Sequence, residues 1–124
     1  MLGSEKLVAF VATADPSGAK AFYRDSLGLS LVSEDSFAVV FDANGTMLRL
    51  AIVKEVIAPP YTVLGWVVDD IEAVVKRLQS AGVKFEYYPQ FMKQDELGIW
   101  TAPAGTRVAW FKDPDGNTLS VSQH

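Results

Sequence analysis

The chain has 124 residues, of which 49 % are hydrophobic and 21 % charged, and its 11 basic and 15 acidic side chains give a net charge of −4. This composition predicts one soluble globular domain spanning residues 1–124 and excludes a disordered chain or two independent domains. The acidic balance argues against nucleic-acid binding, and no apolar run is long enough to cross a membrane. The chain has no cysteine, which excludes disulfides and thiolate chemistry and favours the cytoplasm.

The first half of the chain predicts the order strand, helix, three strands. A run of β-branched and apolar side chains at 7–14 predicts the first strand. Asp15 followed by Pro16 predicts a helix start, because Asp caps helix N-termini and Pro suits the first turn, and Gly28 predicts the helix end. Three further strands are expected at about 30–34, 36–42 and 46–53.

The second half of the chain repeats this order. A strand is predicted at 62–68, and a helix follows, with Asp69 and Asp70 at its start and Gly82 at its end. We interpret the two aspartates as helix caps rather than as paired catalytic carboxylates.

The boundary between the two halves is predicted at residues 54–61. Pro59 and Pro60 in this segment can continue neither a strand nor a helix, so the segment is interpreted as a linker. Module one then covers about residues 6–53 and module two residues 62–122.

A turn motif occurs twice and indicates an internal duplication. Asp42 and Gly45, with Asn44-Gly45 expected to form a tight hairpin turn, match Asp113 and Gly116 at a separation of 71 residues. The helix caps of the two halves are only 55 residues apart. The second half therefore carries 16 additional residues, which we place in a loop at about 87–105.

Three motifs in this order resemble the vicinal oxygen chelate superfamily of glyoxalases, bleomycin-resistance proteins and extradiol dioxygenases. They are FYRDSLGL at 22–29, VDDIEA at 68–73 and FKDPDGNTL at 111–119. The resemblance covers nearly the whole chain. It implies an α+β fold of two tandem βαβββ modules that form an open, cleft-shaped mixed sheet, commonly assembled as a homodimer.

In the metal-dependent members of this superfamily, a divalent ion binds His, Glu or Gln side chains on the first and last strands of each module. The family's spacing places these positions on Val8, Arg49, Val63 and Ser120. Valine has no lone pair, arginine is a permanent cation, and a serine hydroxyl is a poor ligand for a divalent ion. We therefore expect no metal site and no cofactor. The alternative is an unexpected carboxylate set, such as Asp95 and Glu96 in the inserted loop.

Strand alternation and the resemblance together predict which side chains line the cleft. Trp66 is expected on the opposite side of its strand, in the core. The predicted ligand-binding residues are Phe10, Arg49, Trp100, Val108, Trp110 and Ser120. Alternatives remain open: core packing for Phe10 and Trp110, an internal ion pair for Arg49, and a structural plug for Trp100.

The sequence thus favours a homodimeric protein that binds a small organic molecule in its cleft without a metal centre, as the bleomycin-resistance type does. Whether the chain is an enzyme stays open. One alternative is a lyase, isomerase or dioxygenase-like enzyme whose unconventional site uses Tyr, Asp or Glu of the inserted loop. The other is a non-catalytic structural or regulatory subunit. The sole histidine, His124, is expected to be solvent-exposed rather than a ligand.

Overall fold

The computed structural model describes all residues, Met1–His124, and forms two compact units, Met1–Ile57 and Ala58–His124. Their boundary falls inside the segment that the sequence predicted as a linker. Each unit contains a four-stranded mixed sheet and one α-helix. The predicted α+β fold of two tandem βαβββ modules is therefore confirmed, whereas the grouping of both modules into one domain stays a prediction. Neither helix has the length and apolar character that crossing a membrane requires.

Unit one follows the predicted order of elements. It contains β1 (Val8–Thr13), α1 (Pro16–Ala21) continued by a π-helical turn (Phe22–Ser26), β2 (Ser30–Glu34), β3 (Ala38–Ala43) and β4 (Thr46–Ile52). The strand order is β1-β4-β3-β2, with β1 parallel to β4 and the other pairs antiparallel. Asp15 caps α1 as predicted, since its carboxylate accepts a hydrogen bond of 3.1 Å from the Gly18 N–H.

One face of this sheet forms the core of unit one. Leu48 and Phe41 are fully buried there and lie opposite each other in the strand register. The fully buried ring of Tyr23, from the helical segment, lies 6.0 Å from the ring of Phe41. Because strand side chains alternate, Phe10 and Met47 point to the opposite face, where both are exposed. The helix therefore covers only one side of the sheet.

Unit two repeats this plan with a longer connection after its helix. It contains β5 (Thr62–Val67), α2 (Ile71–Ser80), β6 (Trp100–Thr101), β7 (Arg107–Lys112) and β8 (Thr118–Gln123). The strand order is β5-β8-β7-β6, again with the first and last strands of the module parallel. Asp70 caps α2 by accepting from the Ala73 N–H, and the Gln123 side-chain oxygen accepts from the Ile71 N–H at 2.9 Å.

The core of unit two lies between α2 and one face of its sheet. Ile71 and Val75 of α2 are fully buried, as are Phe111 and Leu119, which face each other on β7 and β8. Trp66 pairs with Val121 in the register and so lies on this helix-covered face, as predicted. The helix α2 does not cover the opposite face of the sheet.

The two hairpin turns that revealed the duplication differ in length. Asn44 and Gly45 have φ angles of 51° and 93° and form the predicted two-residue turn. The connection between β7 and β8 has three more residues and is organised by Asp113, which is only 6 % exposed. One of its carboxylate oxygens accepts from the Asp115 and Asn117 N–H groups, and the other accepts from the Asn117 side-chain amide. The second hairpin therefore depends on a buried carboxylate.

Replacing Asp113 by Ala should lower the free energy of unfolding by about 2 kcal/mol or more, because two backbone N–H groups lose their acceptor in a buried turn. Urea unfolding followed by circular dichroism measures this loss. The matched control is Asp42→Ala, which removes one exposed hydrogen bond to the Gly45 N–H and should cost less than about 1 kcal/mol. Equal losses in the two variants would contradict this account of the second hairpin.

Candidate functional site

The structure places two of the six predicted ligand-binding residues in unit one. Phe10 and Arg49 lie directly opposite each other on β1 and β4, on the face that the helix does not cover. The Arg49 guanidinium forms no ion pair or hydrogen bond within unit one. It adds a small electrostatic effect at Asp35, whose pKa is lowered chiefly by hydrogen bonds from the Phe37 and Ala38 N–H groups. The internal ion pair considered for Arg49 is thus not formed within its own unit.

The other four predicted residues lie together on the open face of the sheet in unit two. Trp100 is directly opposite Val108, and Trp110 is directly opposite Ser120. The ring of Trp110 lies 6.1 Å from that of Trp100 and 5.9 Å from that of Tyr88, which approaches it edge-on at 83°. Tyr88, Trp100 and Trp110 therefore form an aromatic cluster on this face.

A pocket of about 520 Å³ lies beside the aromatic cluster and is formed entirely by unit two. This unit-two pocket is bounded by strands β7 and β8, by residues 58–62 and by the inserted loop. Its principal side chains are Tyr61, Tyr88, Phe91, Trp110, Lys112 and Thr118. Its volume lies within the range typical of small-molecule sites.

Sequence reasoning found this pocket only in part. Trp110 lines it, whereas Trp100 contacts Trp110 from the side, and Val108 and Ser120 continue the same face of the sheet. Lys112 was missed, although it follows Trp110 by two residues and alternation places both on one face. Tyr61 was missed because its neighbouring prolines indicated only a linker.

A divalent metal ion would find a poor donor set at the positions that the resemblance implies. Val8 and Val63 carry no donor atom, and a β-bulge interrupts the register of β5 between Thr62 and Leu64. The Ser120 hydroxyl is folded over Gly65, where an added Cβ would lie only 2.6 Å from its oxygen. Nowhere do three His, Cys, Asp or Glu side chains come together as a possible metal site. The residues do not fit the ion of the metal-dependent members, and the absence of bound metal stays a prediction.

Two further side chains that could act in catalysis, Asp95 and His124, do not form a catalytic arrangement. One Asp95 carboxylate oxygen accepts 2.9 Å hydrogen bonds from the Leu97 and Ile99 N–H groups, so it organises a turn in the inserted loop. The His124 Nε2 lies 3.2 Å from the Ser122 hydroxyl, a contact that the sequence did not suggest. No carboxylate is within hydrogen-bond distance of this exposed imidazole, so the pair lacks the third member of a Ser-His-Asp triad.

The side chain of Gln94 cross-links the backbone of the inserted loop. Its oxygen accepts from the Tyr88 N–H at 2.6 Å, and its nitrogen donates to the carbonyl oxygens of Glu86 and Gly98 at 2.9 and 2.8 Å. One amide therefore connects the backbone at Glu86 and Tyr88 with the backbone at Gly98. This fixes the backbone of the segment that brings Tyr88 and Phe91 to the pocket.

The charge in the pocket comes from a single side chain. Lys112 is the only charged residue among those that line it, and its Nζ lies 4.0 Å from the Glu86 carboxylate, at the limit of an ion pair. Burial raises the pKa of the Tyr88 phenol, and the negative charge of Glu86 adds to this effect. At neutral pH the pocket thus combines neutral aromatic walls with one ammonium group.

The comparisons with known proteins agree with the fold. The model of the Glyoxalase/Bleomycin resistance protein/Dioxygenase superfamily matches residues 7–121. The chain belongs to this superfamily. The search of curated proteins found no match to this chain.

Among solved structures, a lactoylglutathione lyase from Agrobacterium tumefaciens is 22 % identical with a TM-score of 0.74, and the match covers 97 % of this chain and 93 % of that one. A superfamily member from Sphaerobacter thermophilus is 22 % identical with a TM-score of 0.74 over all of both chains. An integron cassette protein from V. cholerae is 22 % identical with a TM-score of 0.69, covering 100 % of this chain and 98 % of that one. At these identities the similarity shows the superfamily fold.

Replacing Gln94 by Ala should loosen the inserted loop, because three hydrogen bonds of a partly buried amide are lost together. We expect a loss of about 1 to 3 kcal/mol in unfolding free energy and faster amide hydrogen exchange at Tyr88 and its neighbours. Hydrogen exchange followed by mass spectrometry measures the second effect. Lys93→Ala is the control, since this exposed neighbour makes no such bonds, and equal exchange in both variants would refute the role of Gln94.

The Tyr88 phenol should ionise at higher pH than an exposed tyrosine, which ultraviolet titration of the wild type against Tyr88→Phe can resolve. Its pKa is raised in the folded state, so its contribution to stability is present below the unfolded pKa of about 10 and is lost as pH rises through the folded value. Unfolding measured on both sides of pH 10 should therefore show a decline that Tyr88→Phe reduces. A phenol that titrates like free tyrosine would show that the ring is more hydrated than the structure indicates.

Proposed function

We propose that the chain binds a small organic molecule in the unit-two pocket and that it does so without a metal centre. The observation that carries this proposal is a pocket of about 520 Å³ whose rim leaves Tyr61 66 % and Phe91 82 % exposed beside the ring of Trp110. Clustered exposed aromatic side chains around a concavity are typical of binding sites, because their desolvation by a ligand is favourable.

The chemistry of the lining supports binding of a flat, largely apolar ligand. Trp110 and Tyr88 offer ring surfaces that are already fixed by their edge-on contact, so little conformational entropy is lost on binding. Thr62 and Thr118 place two hydroxyl groups in the lining, and neither forms a hydrogen bond within the unit. These hydroxyls are available to orient a polar group of the ligand.

The remaining predicted contacts lie outside this pocket and are proposed separately within each unit. Trp100, Val108 and Ser120 extend the aromatic face of unit two, and Phe10 and Arg49 are proposed as ligand contacts on the open face of unit one. The unpaired guanidinium of Arg49 suits a carboxylate or phosphate. We also propose a homodimer located in the cytoplasm, as the sequence suggested.

Membership of the superfamily supports the fold and leaves the reaction open. A lactoylglutathione lyase shares the fold, but function depends on the side chains grafted onto it. The donor set found here does not reproduce the usual metal ligands of the enzymes in this superfamily. Binding without bond chemistry is therefore the function that the described residues support best.

Tryptophan fluorescence tests the proposal, because only Trp110 of the three tryptophans lines the pocket. Planar aromatic compounds should quench wild-type fluorescence. Trp110→Ala lacks this reporter, so its affinity is measured by calorimetry, and it should bind about tenfold more weakly, which corresponds to about 1.4 kcal/mol. Phe91→Ala should weaken binding as well without affecting folding, since its ring is largely exposed. Trp66→Phe is the matched control on the opposite face of the sheet and should leave the affinity unchanged.

The same samples separate binding from the alternatives. Saturating chelator should leave the affinity unchanged, and loss of binding on chelation would contradict the metal-free site. Conversion of a bound compound, followed by proton NMR, would favour the enzyme. Absence of binding across a broad panel would favour a structural or regulatory subunit.

A further inference from the structure

We infer that the ligand of the unit-two pocket is an anionic aromatic molecule whose carboxylate or similar group binds the Lys112 ammonium. This inference rests on the proposed function, because it names the chemical class that the same pocket accepts. The aromatic rings would hold the flat body of the ligand, and Lys112 would select its charge.

The strand register places the three required groups side by side. Trp110 and Lys112 are two residues apart on β7 and so point to the same face of the sheet. Thr118 of β8 lies directly opposite Lys112 and also lines the pocket. A ring surface, an ammonium group and a hydroxyl group thus follow one another along one wall, which matches a planar molecule with an anionic end.

Lys112 is available to such a ligand. Its side chain is 49 % exposed, and the only acidic group within ion-pair distance of its ammonium is Glu86, which lies 4.0 Å away and does not line the pocket. Exposed ion pairs at this separation contribute little, so a ligand carboxylate can replace Glu86 as the partner of the ammonium. A primary ammonium also has three N–H donors, which allows it to contact Glu86 and a ligand together.

A cationic ligand fits the pocket less well. Aromatic rings attract cations through their faces, and the net charge of −4 would favour a cation at long range. Within the pocket, however, the nearest charge is positive, and no carboxylate lines the wall to offset it. The Tyr88 phenol is neutral at pH 7, as an ordinary tyrosine is, and adds no negative charge to the wall.

Three compounds that share a naphthalene ring and differ in charge test the inference: 2-naphthoate, 2-naphthylmethanol and 2-naphthylmethylammonium. Isothermal titration calorimetry with the full chain should show the order naphthoate, alcohol, ammonium from tightest to weakest. Lys112→Met keeps the apolar stem of the side chain and should weaken naphthoate about fivefold, the change that corresponds to about 1 kcal/mol, while the alcohol is unaffected. Lys112→Arg should retain the preference.

The control is Lys76→Met, which removes the same charge from an exposed position on α2 outside the pocket. It should leave the affinity for naphthoate unchanged. Higher salt should weaken naphthoate and not the alcohol, because it screens the exposed ammonium. This salt dependence, measured on the wild type, tests the inference even if Lys112→Met folds poorly.

The outcomes distinguish the two proposals. Equal or tighter binding of the alcohol or the ammonium compound, or unchanged naphthoate binding in Lys112→Met, would overturn the anion preference while the pocket itself remains a binding site. Failure of all three compounds to bind would overturn the pocket as a site for aromatic molecules, and the anion preference with it.

Discussion

The structure depends on one constraint, which is that a β-strand presents its side chains alternately to two faces while each unit has a single helix to cover one of them. The covered face carries the buried core, including Phe41 in unit one and Phe111 in unit two. The other face does not pack against the helix. Its side chains are therefore not restricted to apolar residues that fit the core. Arg49, Trp110 and Lys112 all lie on these free faces, and the candidate binding chemistry of the chain is concentrated there.

The duplication gives two sheets with equivalent strand orders but different side chains on the faces that no helix covers. Phe10 opposite Arg49 in unit one corresponds to Gly65 opposite Ser120 in unit two, at the separations of 55 and 71 residues that relate the modules. These pairs include two of the positions where metal-dependent relatives place ligands. The fold therefore survives without those ligands, because its stability resides in the opposite, helix-covered faces.

Local signals allowed most of the fold to be predicted, since helix caps, turn glycines and alternating strands depend on near neighbours in the sequence. Asp15, Asp70 and the Asn44-Gly45 turn lie where these signals placed them. The pocket was harder to predict because its wall joins Tyr61, Phe91 and Lys112, which are far apart in the chain and come from three different elements. Neither spacing nor composition indicates that such residues meet, and Gln94, which fixes the loop, has no distinctive sequence signal.

The anchoring of the inserted loop by one amide has a consequence for how this scaffold can change. Gln94 forms hydrogen bonds with the backbone of Glu86, Tyr88 and Gly98. The side chains between Tyr88 and Gln94 are therefore not needed to fix the backbone at these three residues. Substitutions at positions 89–93 leave these three hydrogen bonds in place, because Gln94 bonds only to backbone atoms of other residues. New ligand selectivity could therefore be introduced by redesigning these five residues of the inserted loop while the rest of the chain is kept.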